Sequence, residues 1–406
     1  MGGSHGSPVN VNWMVLLSAV AVLAAGCDKG RDDSYGAAFT MMPAVYLDAG
    51  VAFVSPSLRK AWMAGWDEES ALPVVTVREI GRDARRVQAS ADGTRRFVLC
   101  LGAREGDVPQ AEVEPESLHV IDAASGADVV YTLGNPFTDI AESPSGRWVV
   151  LHFESDVAGT NPNLMAVIDM DAPPSETNPG ILSIRTLGSI PHGIVMAEGM
   201  DVSTESAGGG SLESKDLALV LSDSYITLFD LEHTDRPEIT VPLVVPGSGD
   251  EVIPAEEDVI VASDPLGLNS RIIMRADNTS DIYSLTLVGV DTTDPVGNDY
   301  RVSLNQLSVD VNPHDAPTDM DLFEDGGRQM VLVTTASADS FAVVDPETTM
   351  VTTITVDFRV ASGLVFDGGR QALLYSVGED MAYFLDLDGV VIDRERNLDE
   401  FALSGR

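Results

Sequence analysis

Two histidines in this sequence stand beside prolines and carboxylates. His192 lies in Ser-Ile-Pro-His-Gly-Ile, and His314 sits in Asn-Pro-His-Asp-Ala-Pro-Thr-Asp-Met-Asp, which also holds Asp315, Asp319 and Asp321. An imidazole changes charge near neutral pH. Beside carboxylates it can hold a cation or act as acid and base. The plainer reading carries more weight: Pro-His-Gly is also a well-fitting turn between repeated units. The stretch 319–327, Asp-Met-Asp-Leu-Phe-Glu-Asp-Gly-Gly, alternates acids as a calcium loop does. It fails the EF-hand spacing, because Phe323 stands at the fifth position and Met330 at the twelfth. It reads better as a strand with one polar and one apolar face. Calcium is the only cofactor the sequence suggests, and no metal-ligand set is assigned. His119 and His152 lie inside strand-like runs, where packing or surface positions are expected.

A third candidate is Asp386, in Ala-Tyr-Phe-Leu-Asp-Leu-Asp-Gly-Val-Val (382–391). An apolar strand followed by Asp-x-Asp-Gly-Val resembles the nucleophile motif of the haloacid-dehalogenase-like hydrolases. Three features oppose a nucleophile here. Only the residues to 406 follow, too few for the rest of that fold. No Lys follows Lys215, although that family places a later Lys beside the phosphate. Above all, the aspartate has siblings.

Strand-like runs ending in apolar–apolar–Asp recur at Asp122, Asp169, Asp230, Asp345 and Asp386, with looser copies at Asp67 and Asp291. The seven are spaced 55, 47, 61, 61, 54 and 41 residues apart, the range of propeller and other repeat folds. A strand-end aspartate can accept backbone N–H groups just beyond it and close an Asx-type turn into the next antiparallel strand. Asp388-Gly389 is then a hairpin signal. Segments 89–101, 142–153, 323–335 and 366–377 each join two apolar runs through a Gly-containing turn, and the last two share Asp-Gly-Gly-Arg-Gln. Each unit therefore holds four short strands: one before the Gly turn, one after it, one ending in Asp, and one following. Seven such units predict an all-β fold, a β-propeller of seven four-stranded blades over 45–406. The Gly/Ser-rich run 202–215 is expected to be a loop insertion, and 246–270 a second insertion carrying an extra strand. The N-terminal unit (45–80) is expected to be completed by the C-terminal tail.

Units such as Asn-Pro-Phe…Ser-Pro-Ser-Gly-Arg-Trp-Val-Val-Leu…Ala-Val-Ile-Asp…Ile-Pro-His-Gly-Ile (135–194) resemble the YVTN-type repeats of surface-layer and periplasmic seven-bladed propellers. The resemblance spans about residues 45–406. It implies that the two His-bearing connections enter strands lining a central channel. His192, His314, Asp315 and Asp319 are then candidate channel-mouth ligand-binding residues. It also implies a mixed family, with binding proteins and, more distantly, lactonase-like enzymes.

The remaining features concern location and partners. There are 64 acids against 24 Lys and Arg, a formal charge of −40. Such a surface repels phosphate backbones and anionic headgroups, which argues against nucleic acid as a partner. An apolar run ends in Leu23-Ala24-Ala25-Gly26-Cys27. It is shorter than the roughly 20 residues of a membrane span and is similar to the lipobox of bacterial lipoprotein signals, with Cys27 as the lipidated residue. No Lys or Arg precedes Cys27, where such signals carry a charged segment. Residues 1–26 are thus expected to be a signal peptide and 27–44 a tether. Cys100 lies in an apolar run and is expected to pack as a small hydrophobe. No Gly-x-Ser-x-Gly, P-loop, zinc spacing or dinucleotide fingerprint is present. The expected function is a lipid-anchored, monomeric, non-enzymatic binding or scaffolding protein of the bacterial envelope. It would face the periplasm or the cell surface, with a protein, polysaccharide or small ligand as partner. The alternative is a lactonase-like metal-dependent hydrolase using the channel-mouth His and acids.

Overall fold

The computed structural model describes residues 40–67, 72–103, 106, 108–153, 160–185, 191–203, 212–243, 252–263, 270–290, 297–309, 316–325, 327–336, 338–356, 358–366, 370–376, 381–387 and 391–397. Cys27, Asp291, His314 and Asp315 lie outside these residues.

The short apolar runs form seven antiparallel four-stranded sheets, each a meander of consecutive strands. The first holds β1 (Val45–Leu47), β2 (Gly50–Ser55), β3 (Lys60–Asp67) and β4 (Leu72–Glu79). The second holds β5 (Ala84–Ala89), β6 (Arg95–Cys100), β7 (Ser117–Asp122) and β8 (Asp128–Thr132). The third holds β9 (Asp139–Glu142), β10 (Trp148–His152), β11 (Leu164–Asp169) and β12 (Gly180–Ser183). The fourth holds β13 (Gly193–Ser203), β14 (Leu212–Ser222), β15 (Tyr225–Asp230) and β16 (Ile239–Pro242). The fifth holds β17 (Pro254–Ser263), β18 (Ser270–Ala276), β19 (Asp281–Gly289) and β20 (Tyr300–Ser308). The sixth holds β21 (Asp319–Asp325), β22 (Arg328–Thr334), β23 (Ser340–Asp345) and β24 (Met350–Thr355). The seventh holds β25 (Ser362–Phe366), β26 (Gln371–Ser376), β27 (Met381–Asp386) and β28 (Val391–Asn397). This is the blade set of a seven-bladed β-propeller, the fold class expected. Among the described residues no helix is long and apolar enough to cross a membrane.

The described residues fall into two compact units. One is drawn from Met1–Ile140 and Asp171–Pro179, the other from Ala141–Met170 and Gly180–Arg406. Within the second unit the middle strands are buried on both faces, which explains their nearly continuous apolar sequence. In β14, Leu217, Leu219 and Leu221 pack with Ile272 and Met274 of β18, while Ala218 and Val220 pack with Val150 of β10 and Val167 of β11. In β22, Val331 and Val333 meet Ile273, whereas Leu332 meets Ala372 and Leu374 of β26. The period-two alternation of a strand thus divides each middle strand between two neighbouring sheets. In the first unit, Val54 and Ala61 pack on Val98, Cys100 and Ile121 in the same way. Cys100 is fully buried there, and burial pushes its thiol up to about 12. His119 is buried between these two sheets. Its Nε2 accepts the Gly81 N–H at 2.9 Å, so Nδ1 carries the proton and faces Asp128 Oδ2 at 2.9 Å.

Two hairpins show why the Gly turns repeat. Between β5 and β6 the Gly93 N–H donates to Ser90 C=O, and the Ser90 N–H to Arg95 C=O. Between β9 and β10 the Gly146 N–H donates to Ser143 C=O, and the Ser143 N–H to Trp148 C=O. Both glycines are left-handed, at φ 69° and 72°, a conformation that costs other residues a Cβ clash.

Three expectations need correction. Residues 254–263 are not an extra strand; they are β17, which opens the fifth sheet and pairs with β18. The loop assigned to 202–215 is shorter, because β13 runs to Ser203 and β14 begins at Leu212, with Met200 opposite Lys215. Among the described residues the first sheet takes no strand from the C-terminal segment: it consists of β1–β4, and β28 pairs with β27 in the seventh sheet. Four consecutive strands build this sheet locally, each paired with the next along the chain.

Candidate binding site on the first strands of the sheets

In the second unit the described candidates lie at the first strands of two sheets, His192 just before β13 and Asp319 on β21. His192 immediately precedes β13. Its backbone N–H donates to Leu221 C=O at 3.0 Å, which fixes the residue beside the β14–β15 turn. The ring Nε2 lies 3.6 Å from Asp223 Oδ1, with the two side chains 33% and 50% exposed. That separation exceeds a hydrogen bond, and Nε2, itself a buried atom, has no hydrogen-bond partner among the described residues. Gly193 follows, and a Cβ there would lie 2.6 Å from the carboxylate of Glu256 on β17. The glycine therefore lets an acid of the next sheet lie against the residue after the histidine. Neither Asp223 nor Glu256 was singled out by the sequence. The one local signal is the glycine of Pro-His-Gly, which marks close approach without naming what approaches.

Asp319 and Asp321, two residues apart on β21, turn to β25. Asp319 Oδ2 accepts the Gly363 N–H at 3.1 Å, and Asp321 Oδ2 accepts the Val365 N–H at 2.7 Å. Asp321 Oδ1 also takes the Leu322 N–H at 2.8 Å. Burial raises the Asp319 carboxyl above the ordinary aspartate value, aided by the charges of Asp258 and Asp321 and opposed by the N–H groups of Gly363 and Met320. Asp258 is itself buried and bonded to Arg275, which also holds Asp277 at 2.5 Å. The calcium-like stretch is thus the strand β21, as its alternation suggested. His192, before β13, and Asp319, on β21, belong to different sheets, with β17 between them in sequence order. Among the described residues no group of three or more His, Cys, Asp or Glu is placed to hold a metal ion.

Carboxylates bind neighbouring sheets elsewhere too. Glu198 on β13 accepts the Ser145 N–H at 2.7 Å and its hydroxyl at 2.5 Å. In the first unit, Asp139 lies 3.0 Å from Arg86 Nε.

The repeat aspartates occupy matching places. Asp67, Asp122, Asp169, Asp230, Asp345 and Asp386 each end the third strand of a sheet. Asp230 Oδ1 accepts the N–H of Glu232 at 2.9 Å and of His233 at 3.1 Å. Asp345 Oδ1 accepts those of Glu347 at 2.9 Å and Thr348 at 3.1 Å. Asp122 Oδ1 takes the N–H and hydroxyl of Ser125, both at 2.6 Å, and these hold its carboxyl below the ordinary value. The donors sit two and three residues on. Asp169 lies 3.8 Å from Arg147 Nε. Asp230 has an added role. It is buried, its carboxyl is raised by that burial, and Oδ2 lies 3.7 Å from Arg236, which joins Lys215 on Asp299 at 2.7 and 2.8 Å. Asp386 ends a strand paired on both sides, with β26 and β28, a setting unlike the parallel sheet edge that positions a phosphatase nucleophile.

No protein-family model matches the sequence, and a search of curated proteins finds no match. Among solved structures, apo AztD from Citrobacter koseri is similar over 87% of this chain and 85% of its own, at 10% identity and a TM-score of 0.41. A eukaryotic initiation factor is similar over 89% and 77%, at 12% identity and 0.46. Hydrazine synthase from Kuenenia stuttgartiensis is similar over 88% and 99%, at 11% identity and 0.34. Likeness at this level carries no argument about function, and the fold class rests on the seven sheets of this chain.

Proposed function

We propose that this chain is a YVTN-type propeller anchored by lipid at Cys27 to the bacterial cell envelope, facing the periplasm or the cell surface. It acts there as a monomeric, non-enzymatic binding or scaffolding protein. The observation that carries the non-enzymatic reading is the use made of the best-placed acids. Asp319 and Asp321 hold backbone N–H groups of β25, so their oxygens serve the packing of sheets. The lipobox-like run ending at Cys27 supports the anchor, and the charge of −40 turns the protein away from nucleic acid. Growth with a labelled fatty acid tests the anchor: the wild-type chain takes up label and Cys27→Ser does not. Hydrolysis of an ester or lactone by the purified protein, lost when the fold is lost, would overturn the non-enzymatic reading.

One observation favours a second reading, a lactonase-like metal-dependent hydrolase. Among the described residues His192 Nε2 has no hydrogen-bond partner, and it stands beside Asp223. On that reading a divalent ion co-purifies in stoichiometric amount, calcium or magnesium raises Tm, and His192→Ala abolishes turnover.

A further inference from the structure

The segment that joins the first two sheets, residues 80–83 between β4 and β5, is tied down by side chains. The Ile80 N–H donates to Arg59 C=O at 3.1 Å, an ordinary backbone bond. The next two N–H groups go to side chains instead. Gly81 donates to His119 Nε2 at 2.9 Å, and Arg82 to Glu114 Oε1 at 3.2 Å. A Cβ at Gly81 would lie 2.8 Å from Cys100 Cβ and from Ser117 Oγ, so glycine lets the linker lie directly on β6 and β7. His119, in the middle of β7, is 7% exposed. Both of its ring nitrogens are engaged, because Nδ1–H donates to Asp128 Oδ2 at 2.9 Å. A backbone N–H can only donate, so the Gly81 bond exists only while Nε2 is unprotonated.

We propose that His119 is a proton-operated latch: neutral, it holds the linker between the first two sheets against β7, and as imidazolium it releases Gly81. Protonation turns Nε2 from an acceptor into a donor. Two N–H groups then face each other where one hydrogen bond stood, and the buried Gly81 N–H loses its acceptor. The Asp128 contact survives, because Nδ1 carries a proton in both forms. The change is therefore confined to the Gly81 side of the ring. Several charged and titratable groups lie on the elements packed around it. They are Asp128 on β8, Arg96 and Cys100 on β6, Arg78 on β4, Arg82 on the linker, and the Arg59–Glu114 pair at 2.6 Å. β2 and β3 present the apolar Val54 and Ala61, and Cys100 stays an uncharged thiol. These charges set where the ring titrates; the hydrogen-bond pattern sets what titration does. The latch uses other residues than the function proposed above, and the two stand or fall separately.

The test uses the isotope-labelled full chain from about pH 8 to about pH 5. Two-bond hydrogen–nitrogen NMR spectra report the tautomer and charge of the His119 ring, and amide exchange reports the Gly81 N–H. Once the ring is charged, Gly81 protection, corrected for intrinsic exchange, should fall by about tenfold or more. The Ser90 N–H, bonded to Arg95 C=O in the β5–β6 hairpin, should change by less than about twofold. His119→Gln keeps one acceptor for Gly81 and one donor for Asp128 but does not titrate, so its Gly81 protection should not depend on pH. Asp128→Asn removes the charge beside Nδ1 and changes where the ring titrates. The fall at Gly81 should move with the ring by the same interval of pH, which keeps the test decisive even where the glutamine variant does not fold. The proposal is overturned if Gly81 stays protected beside a charged ring, or if the ring is still neutral at about pH 5. It is also overturned by the same fall in His119→Gln, which would assign the effect to Glu114, or by a parallel fall at Ser90, which would mean general unfolding.

Discussion

Replacing Asp345 tests whether the strand-end aspartate holds its hairpin. Oδ1 accepts two backbone N–H groups, and Arg328 Nη1 lies 3.6 Å from Oδ2. A hydrogen bond to a charged acceptor contributes about 1.5–3 kcal/mol, but Glu347 and Thr348 are exposed, so water takes over their N–H groups once the carboxylate is gone. The Arg328 side chain is largely exposed and stands beyond hydrogen-bond distance, so this pair adds about 0–1 kcal/mol. The nearest analogue, removal of a helix N-cap side chain, costs about 0.5–2 kcal/mol. Asp345→Ala should therefore cost about 1.5 kcal/mol, and Asp345→Asn, which keeps a neutral acceptor, about half of that. Burial pushes the Asp345 carboxyl up, but the hydroxyl and N–H of Thr348, the N–H of Glu347 and Arg328 outweigh it, and the net shift is downward. A depressed carboxylate stabilises the fold above its unfolded value of about 3.9, and that contribution is lost as pH falls through the folded value. The alanine penalty should thus be flat near neutrality and disappear in acid. The assay is native-state amide exchange at Glu347 and Thr348, about tenfold faster in the alanine variant, together with denaturant midpoints across pH. Equal effects of Asn and Ala, a neutral alanine variant, or a penalty that grows in acid would each refute the reasoning.

Gly146→Ala and Gly93→Ala should each cost about 1–2 kcal/mol for the left-handed backbone. Gly93 should cost more, because its Cβ would lie 2.8 Å from Asp48 Oδ1; paired urea titrations separate the two. Asp319→Asn has the opposite pH signature to Asp345. Burial raises the Asp319 pKa, so its charge destabilises the fold above the folded value and the cost is relieved as pH falls. The amide should be neutral or stabilising at pH 7, with that advantage gone below the unfolded value of about 3.9, as Tm measured from pH 7 downward will show.

The fold was legible because its signals are local. A strand-end Asp acts on N–H groups two and three residues away, and the Gly of Ser-Pro-Ser-Gly acts on Ser143 three residues back. Each motif closes within one hairpin, so repetition in sequence becomes repetition in space. The errors arose where a turn signal was absent or misleading. Pro254 opens a true strand that carries the acids Glu256, Glu257 and Asp258, and Lys215 interrupts no strand because its ammonium is held by Asp299, just before β20. The candidate site was legible only in part because its contacts run between sheets. Asp319 and Asp321 find their donors 44 residues on, and Glu256 meets Gly193 from another sheet. No spacing rule announces such a pair, since register between neighbouring sheets is set by packing of the middle strands.

The same contacts bear on what the acids can do. Backbone N–H groups beyond a strand end, or on a first strand facing another sheet, need acceptors that the ladder does not supply. In this chain carboxylates supply them at turns through Asp122, Asp230 and Asp345, and between sheets through Glu198, Asp319 and Asp321. A lone pair directed at an N–H is withdrawn from proton transfer or cation binding, so acidity of sequence does not convert into density of chemistry. His192 differs: among the described residues none hydrogen-bonds its buried Nε2, which stands 3.6 Å from Asp223 Oδ1. His192→Ala therefore tests the second unit's candidates more cleanly than removal of Asp319 or Asp321 to alanine, which would also withdraw the acceptors of the β25 N–H groups.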